Sequence, residues 1–145
     1  MISYRMEPGP IHVVRLDTGE DLLDGITAYA TEAGVTAAWL TYLGAVSRAA
    51  LRYYDQDERV YLDFELDQHL EVLSGVGNVS LLDDAPFVHT HAAFADAEGR
   101  AWGGHLNTGT TVWAIEIRLQ ELLGEPLVRE PDDCTSLSLW GGTLL

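Results

Sequence analysis

Polar and apolar residues alternate along most of this 145-residue chain, which is the period-two pattern of β-strands. The exception is the segment 19–33, where apolar residues recur at helical spacing. Thr18 precedes it and is followed three residues later by Asp21, which resembles a capping arrangement; the first turn is acidic, and Gly34 is placed as a C-terminal cap. The pattern therefore predicts one main helix over residues 19–33.

The remaining pattern predicts strands at 11–16, 36–46, 49–54, 60–66, 69–82, 86–95, 100–106 and 110–119. Short turn signals such as DQDE, DDAP, DAEG and NTG separate several of them, which favours antiparallel hairpins. ELLGE (121–125) predicts a short helical turn, and the proline-containing tail 126–145 predicts an irregular arm. We expect a single α+β domain over 1–145, with a core at about 10–140: a mostly antiparallel β-sheet packed with one main N-terminal helix and short helical segments.

Acidity is the strongest compositional feature. Eight arginines, no lysines and 23 acidic residues give a formal net charge of −15, and the arginines are scattered. Such a chain repels phosphate backbones, so nucleic-acid binding by this chain alone is disfavoured. There is no signal-peptide pattern and no membrane-spanning apolar run, which leads us to expect a cytoplasmic protein without a membrane partner. The single cysteine, Cys134, is expected to be a small apolar residue.

Three of the five histidines lie in the segment PFVHTHAAFADAEGRAWGGHL. His89 and His91 are two residues apart and therefore share one face of a strand. ADAEGRA suits a three-residue hairpin loop with Gly99 in the left-handed position, which would pair His91 directly with His105. A loop one residue longer or shorter, or a bulge at the glycine pair 103–104, would turn His105 to the other face.

Three imidazoles on one patch predict a zinc site with a fourth position left open, although nickel, cobalt or iron would accept the same ligands. The glycine pair before His105 would leave room for a metal or ligand. The alternative is that all three are ordinary histidines on a half-exposed sheet. His12 and His69 are expected to be structural.

Catalysis at such a site would also need a proton-transfer group. Glu71 is the first candidate and Glu116, a carboxylate in an otherwise apolar strand, is the second. Arg52 could hold an anionic substrate. Each has a plain alternative as a solvated strand residue. The glycines of LSGVGNVS are not a phosphate loop, because no lysine and no helix start follow; close packing between strands explains them better.

Five motifs in order, RLDTGEDL, YLGAV, LSGVGNVS, PFVHTHAAFAD and GGHL, resemble the PPC (plants and prokaryotes conserved) domain over about residues 10–140. The resemblance implies the stand-alone prokaryotic type, which forms homotrimers and binds a metal, typically zinc, at the positions of His89, His91 and His105. It also implies a fold similar to acetolactate decarboxylase. Plant members carry AT-hooks, which this chain lacks. The tail departs from the family by having Ser136 where glycine is common.

These observations leave three functional hypotheses. The first is a zinc-dependent lyase or hydrolase acting on a small oxygenated molecule. The second is a non-enzymatic module in which zinc serves structure or small-molecule sensing. The third, which the charge of −15 disfavours, is a DNA-associated protein.

Overall fold

The computed structural model describes residues 1–141 and contains a seven-stranded sheet, one helix and a small two-stranded sheet. The elements in chain order are β1 (Glu7–Leu16), α1 (Leu22–Ala33), β2 (Ala38–Asp55), β3 (Val60–Leu66), β4 (Leu70–Leu82), β5 (Ala85–Ala95), β6 (Ala101–Leu106), β7 (Thr111–Leu123), β8 (Arg129–Asp132) and β9 (Leu137–Trp140). All pairings between these strands are antiparallel, so the predicted fold class is confirmed.

The long strand β2 organises the sheet. Its first half pairs with β7 and β4, and its second half pairs with β3 and β6. Because β4 pairs with β5 and β5 with β6, the chain of pairings returns to β2 and closes a ring. This ring fixes β5 and β6, the strands that carry the three histidines, within the sheet.

Helix α1 begins at Leu22 rather than at residue 19. Its N-cap is Asp21, whose Oδ1 accepts a hydrogen bond from the Asp24 amide at 2.9 Å, while the hydroxyl of Thr18 donates to the carbonyl of Trp113. Gly34 ends the helix in the left-handed conformation at φ 69°, as predicted. No helix within residues 1–141 is long and apolar enough to cross a membrane.

The core lies on the inner face of the sheet, beneath α1. Alternate strand residues point inward, and the helix contributes its buried stripe of Leu22, Ile26 and Ala30. The largest fully buried side chains are Phe94, Leu22, Ile26, Leu40, Leu51, Leu106, Ile115, Leu119, Val35, Val46, Val79 and Val112. The outer face carries the histidines together with polar and several exposed apolar side chains.

Three local predictions were wrong. The strands predicted at 36–46 and 49–54 are one strand, β2, which absorbs register shifts between Tyr42 and Arg48 and exchanges pairing partners along its length. ELLGE forms no helical turn, because Glu121–Leu123 continue β7 and pair with β1 and β2. The tail is not irregular: β8 and β9 form a hairpin, and only its last residues, 142–145, lie outside the described part.

Candidate metal centre

Strand β5 presents two of the histidines to the outer face. Its alternate residues Val88, Thr90, Ala92 and Phe94 are buried in the core. His89 and His91 therefore project to the opposite side, where His91 is exposed and His89 is half-buried. This alternation is the reason why the His-Thr-His spacing of residues 89–91 places both imidazoles together.

The β5–β6 hairpin brings in His105. Gly99 adopts the left-handed conformation at φ 76°, and the Asp96 amide donates to the Arg100 carbonyl at 3.1 Å. Pairing continues from this turn until His91 stands directly opposite His105. The predicted register is confirmed.

The three imidazoles converge on one point. One ring nitrogen from each histidine can be chosen such that all lie within 4.8 Å of one another, and the ring centroids are 4.9–5.2 Å apart. Nε2 of His89 lies 3.3 Å from Nε2 of His91. Two ligands of a tetrahedral ion with bonds of about 2.0–2.1 Å stand about 3.4 Å apart. The donor set and its spacing therefore fit a transition metal ion, so these residues could hold one.

Burial keeps two of these rings neutral. Desolvation, followed by the positive charge of Arg129 and the neighbouring His91, lowers the pKa of His89 to about 4. Desolvation and then the charges of His89, His91 and the two arginines lower the pKa of His105 to about 4. Because only the neutral imidazole has a free lone pair, both are in the ligating form at neutral pH.

Thr90 anchors the strand between the two β5 ligands. Its buried hydroxyl donates to the Val76 carbonyl at 2.9 Å and lies 3.0 Å from the hydroxyl of Tyr42. Burial raises the pKa of Tyr42 to about 12, although its hydrogen bond with Thr90 opposes the shift. The inward contact thus fixes the strand from which the ligands project outward.

Asp96 holds the turn that sets the register, and sequence reasoning missed it. Its side chain is 1% exposed and accepts hydrogen bonds from the amides of Glu98 and Arg100, from Nε of Arg100 and from Nε1 of Trp102. Burial alone would raise the pKa of Asp96, but these bonds together lower it to about 2. An aspartate opening a DAEG turn was the available signal.

Arg129 was also missed, because it comes from the tail predicted to be irregular. It is 9% exposed and donates to Ser80 Oγ at 2.8 Å, to Asn78 Oδ1 at 3.1 Å and to the Ser138 carbonyl at 2.9 Å. Its Nη2 lies 3.4 Å from Nδ1 of His89. The tail hairpin therefore inserts a guanidinium behind the first ligand.

Arg52 lies next to the third ligand, His105. It pairs with His105 across β2 and β6, and its Nε and Nη2 form an ion pair with Asp63 at 3.1 and 3.3 Å. The Tyr61 ring contacts both groups, with its centroid 4.7 Å from Cζ of Arg52 and 5.5 Å from the His105 centroid. The structure thus brings Arg52 beside the histidines.

The two candidate carboxylates are not brought to the cluster. Glu71 is exposed and pairs with Ala95, four residues beyond His91 on β5, which corresponds to about 13 Å along a strand. It lines a groove with His69 and Trp113, whose rings stack at 6.3 Å. Glu116 is exposed on β7, in a second groove of about 340 Å³ on the outer face.

The other singled-out residues lie elsewhere. His12 bonds Tyr29 and Glu121, both at 2.7 Å, and so links β1 with α1 and β7. Cys134 is exposed. The close-packing interpretation of LSGVGNVS is confirmed, because a Cβ on Gly75 would lie 2.1 Å from the Tyr42 ring.

The sequence suggested that the glycine pair before His105 leaves room for a ligand, and this expectation was wrong. A Cβ on Gly103 would meet the Ala92 carbonyl at 2.9 Å, and one on Gly104 the Arg52 carbonyl at 3.2 Å. These positions are tight because β6 runs between β5 and β2. The glycines serve strand packing.

Comparison with known proteins matches residues 4–123 to the model of the Plants and Prokaryotes Conserved (PCC) domain, the domain abbreviated PPC above. A metal-containing protein from Archaeoglobus fulgidus is 39% identical, with a TM-score of 0.93 over 98% of this chain and 100% of that one. A PPC protein from Pyrococcus horikoshii is 33% identical, with a TM-score of 0.92 over all of both chains.

The bifunctional protein GlmU of Synechococcus sp. (strain JA-3-3Ab) is 38% identical over 127 residues, which are 86% of this chain. The chain spans about a fifth of the length of the curated relatives it matches.

More distant structures show the fold alone. One from Staphylococcus aureus, described as similar to α-acetolactate decarboxylase, is 17% identical with a TM-score of 0.56 over 76% of this chain and 51% of that one. One from Bacteroides thetaiotaomicron, proposed to bind DNA, is 18% identical with a TM-score of 0.85 over 94% of this chain and 96% of that one. Both support the expected PPC-like and acetolactate-decarboxylase-like architecture.

Proposed function

Because the chain belongs to the Plants and Prokaryotes Conserved domain family, we propose that it is a metalloprotein in which His89, His91 and His105 hold one zinc ion. The observation that carries the proposal is the convergence of three ring nitrogens within 4.8 Å. Zinc is favoured because three neutral imidazoles with an open fourth position form a common zinc site, although cobalt, nickel or iron could be bound by the same set.

We propose further that the site works on a small oxygenated molecule in a lyase or hydrolase reaction. The support is the exposure of His91, which gives a ligand access to the cluster. A zinc ion with an open position can activate water or polarise a carbonyl group. In this proposal the chain itself holds the ion and orients the bound molecule.

Assembly as a homotrimer is part of the same proposal. The outer face carries a set of exposed apolar side chains that is unusual for a monomer: Ile11, Val13, Trp39, Leu43, Leu73, Val76 and Trp113. Glu116 lies on this face, and Val76 pairs directly with His91 at its edge. Since Glu116 does not reach the histidines of its own chain, our proposal is that any proton transfer by Glu116 involves the cluster of a neighbouring subunit.

The competing hypothesis is a zinc-containing module that binds or senses a small molecule without turnover. It is favoured by one observation: none of the ion pairs among residues 1–141 joins a carboxylate to the three histidines. A general base within one subunit is therefore not evident.

Metal content tests the proposal. Mass spectrometry of untagged protein should give about one zinc per chain, and a His89→Ala/His91→Ala variant should have none; light scattering should give a trimer for both. Absence of metal from the wild type after zinc is supplied would refute the site. With zinc bound, turnover of a small carbonyl acid that disappears in His91→Ala would support the enzyme, and no turnover across a broad panel would favour the binding module.

A further inference from the structure

Two arginines stand next to the three histidines, Arg129 beside His89 and Arg52 beside His105. Arg129 places its guanidinium against Asn78 and Ser80, with Nη2 3.4 Å from Nδ1 of His89. Arg52 stands beside His105, with the ring of Tyr61 in contact with both. In a chain of net charge −15 with only eight arginines, this concentration of positive charge at one site is unusual.

Negative charge is scarce in the same place. Metal-binding histidines commonly donate their second nitrogen to a carboxylate or carbonyl. Here the group beside Nδ1 of His89 is a guanidinium. His12 shows that this chain can pair a histidine with an acid, since its Nε2 lies 2.7 Å from Glu121, but no described carboxylate forms such a pair with His89, His91 or His105. Asp63, which stands opposite Arg52 on β3, is itself paired with that arginine.

A divalent ion held by three neutral imidazoles would keep its full charge of +2. Arg129 adds one more positive charge in a partly desolvated setting. Such charge is stable only when a counter-charge accompanies it. No described carboxylate of the same chain pairs with the three histidines, so the site favours a bound molecule that brings negative charge of its own. We propose that the site selects a small carboxylate, which binds at the open side of the metal and accepts a hydrogen bond from Arg52; this rests on the proposed metal site.

The hydrogen bonds assign different tasks to the two arginines. All three nitrogens of Arg129 are engaged with acceptors on Ser80, Ser138 and Asn78, so Arg129 contributes positive charge beside His89 and has no nitrogen left for a ligand. Arg52 uses Nε and Nη2 on Asp63, while its Nη1 forms no hydrogen bond among residues 1–141. One free guanidinium nitrogen and one open metal position match the two oxygens of a carboxylate.

Cobalt-loaded protein provides a direct test, because the visible absorption of Co²⁺ changes when a ligand binds to it. The full chain is stripped with chelator, loaded with one Co²⁺ per chain and titrated with glycolate and with glycolamide, its neutral counterpart. We expect saturable binding of glycolate at least tenfold tighter than that of glycolamide. Arg52→Met should weaken glycolate binding at least tenfold and leave glycolamide unchanged.

Arg15→Met is the matched control. Arg15 lies on β1, which pairs with β7 and not with the histidine strands, and it forms an exposed ion pair with Asp17. This variant should bind glycolate as the wild type does, and Arg52→Lys should fall between wild type and Arg52→Met. Equal affinity for the two probes, or unchanged glycolate binding in a folded, cobalt-loaded Arg52→Met, would overturn the inference and leave the metal site intact. Failure of the wild type to take up Co²⁺ would overturn both.

Discussion

The hydrogen bond between Tyr42 and Thr90 allows a quantitative test of how the core supports the candidate site. The two hydroxyls lie 3.0 Å apart, and the exposed fractions of the residues are only 4% and 1%. Thr90 also donates to the Val76 carbonyl. Thr90→Val keeps the β-branched shape but removes both interactions, while Tyr42→Phe removes only one.

The expected costs differ because the two substitutions leave different groups without partners. Tyr42→Phe loses one neutral hydrogen bond, and Thr90 still has Val76, so the free energy of unfolding should fall by about 1 kcal/mol. Thr90→Val leaves the buried hydroxyl of Tyr42 unsatisfied and should cost about 2 kcal/mol. In the double variant no hydroxyl remains unsatisfied, so its cost should be about 1 kcal/mol less than the sum of the single costs.

Urea unfolding at a fixed protein concentration, followed by tryptophan fluorescence, measures these free energies. Zinc affinity should also fall in Thr90→Val, because Thr90 lies between two ligands. Thr31→Val, at an exposed position of α1, serves as a control for threonine replacement. A cost below about 0.5 kcal/mol for Thr90→Val, or strict additivity in the double variant, would refute the argument.

Three further predictions concern the turn, the tail and the ion. The folded pKa of Asp96 is about 2, below its ordinary value of 3.8, so its contribution to stability is present above about pH 4 and is lost as pH falls towards 2. Acid unfolding, followed by circular dichroism, should therefore be less steep in Asp96→Asn. An unchanged profile would contradict this. Ser136 has a φ of 59°, so Ser136→Gly should raise stability by about 0.5–1 kcal/mol in thermal unfolding, whereas Ser136→Ala should not. Zinc at 100 times its dissociation constant should stabilise the wild type by about 2.7 kcal/mol, which chelation removes; calorimetry should show no such shift in His91→Ala.

The ligand positions could be predicted from the sequence because the geometry that creates them is local. Period-two alternation places His89 and His91 on one face, and a turn of three residues, with Gly99 in the left-handed position, fixes His105 opposite His91. All of this information lies within 17 consecutive residues, 89–105. No pairing between distant segments was needed to find the cluster.

The parts that escaped prediction depend on distant partners. ELLGE has good helix formers, yet pairing of Leu122 and Leu123 with β1 overrides that local preference. The prolines of the tail argued against strands, but Pro131 is tolerated because β8 belongs to a two-stranded sheet with a free edge. Arg129 contacts Asn78 and Ser80, which lie about 50 positions away in the sequence. No local sequence pattern predicts a contact over such a separation.

This division between local and distant contributions has a consequence for function. The ligands belong to one hairpin, β5–β6, whereas the charges beside them come from β2 and from the tail hairpin β8–β9. Substitutions in the hairpin should therefore remove metal and ligand binding together. Substitution of Arg52 should alter the choice of bound molecule while the metal stays in place. Two proteins with the same three histidines can thus bind the same ion and select different molecules, so the surroundings of the histidines, rather than the histidines themselves, have to be compared when a substrate is sought.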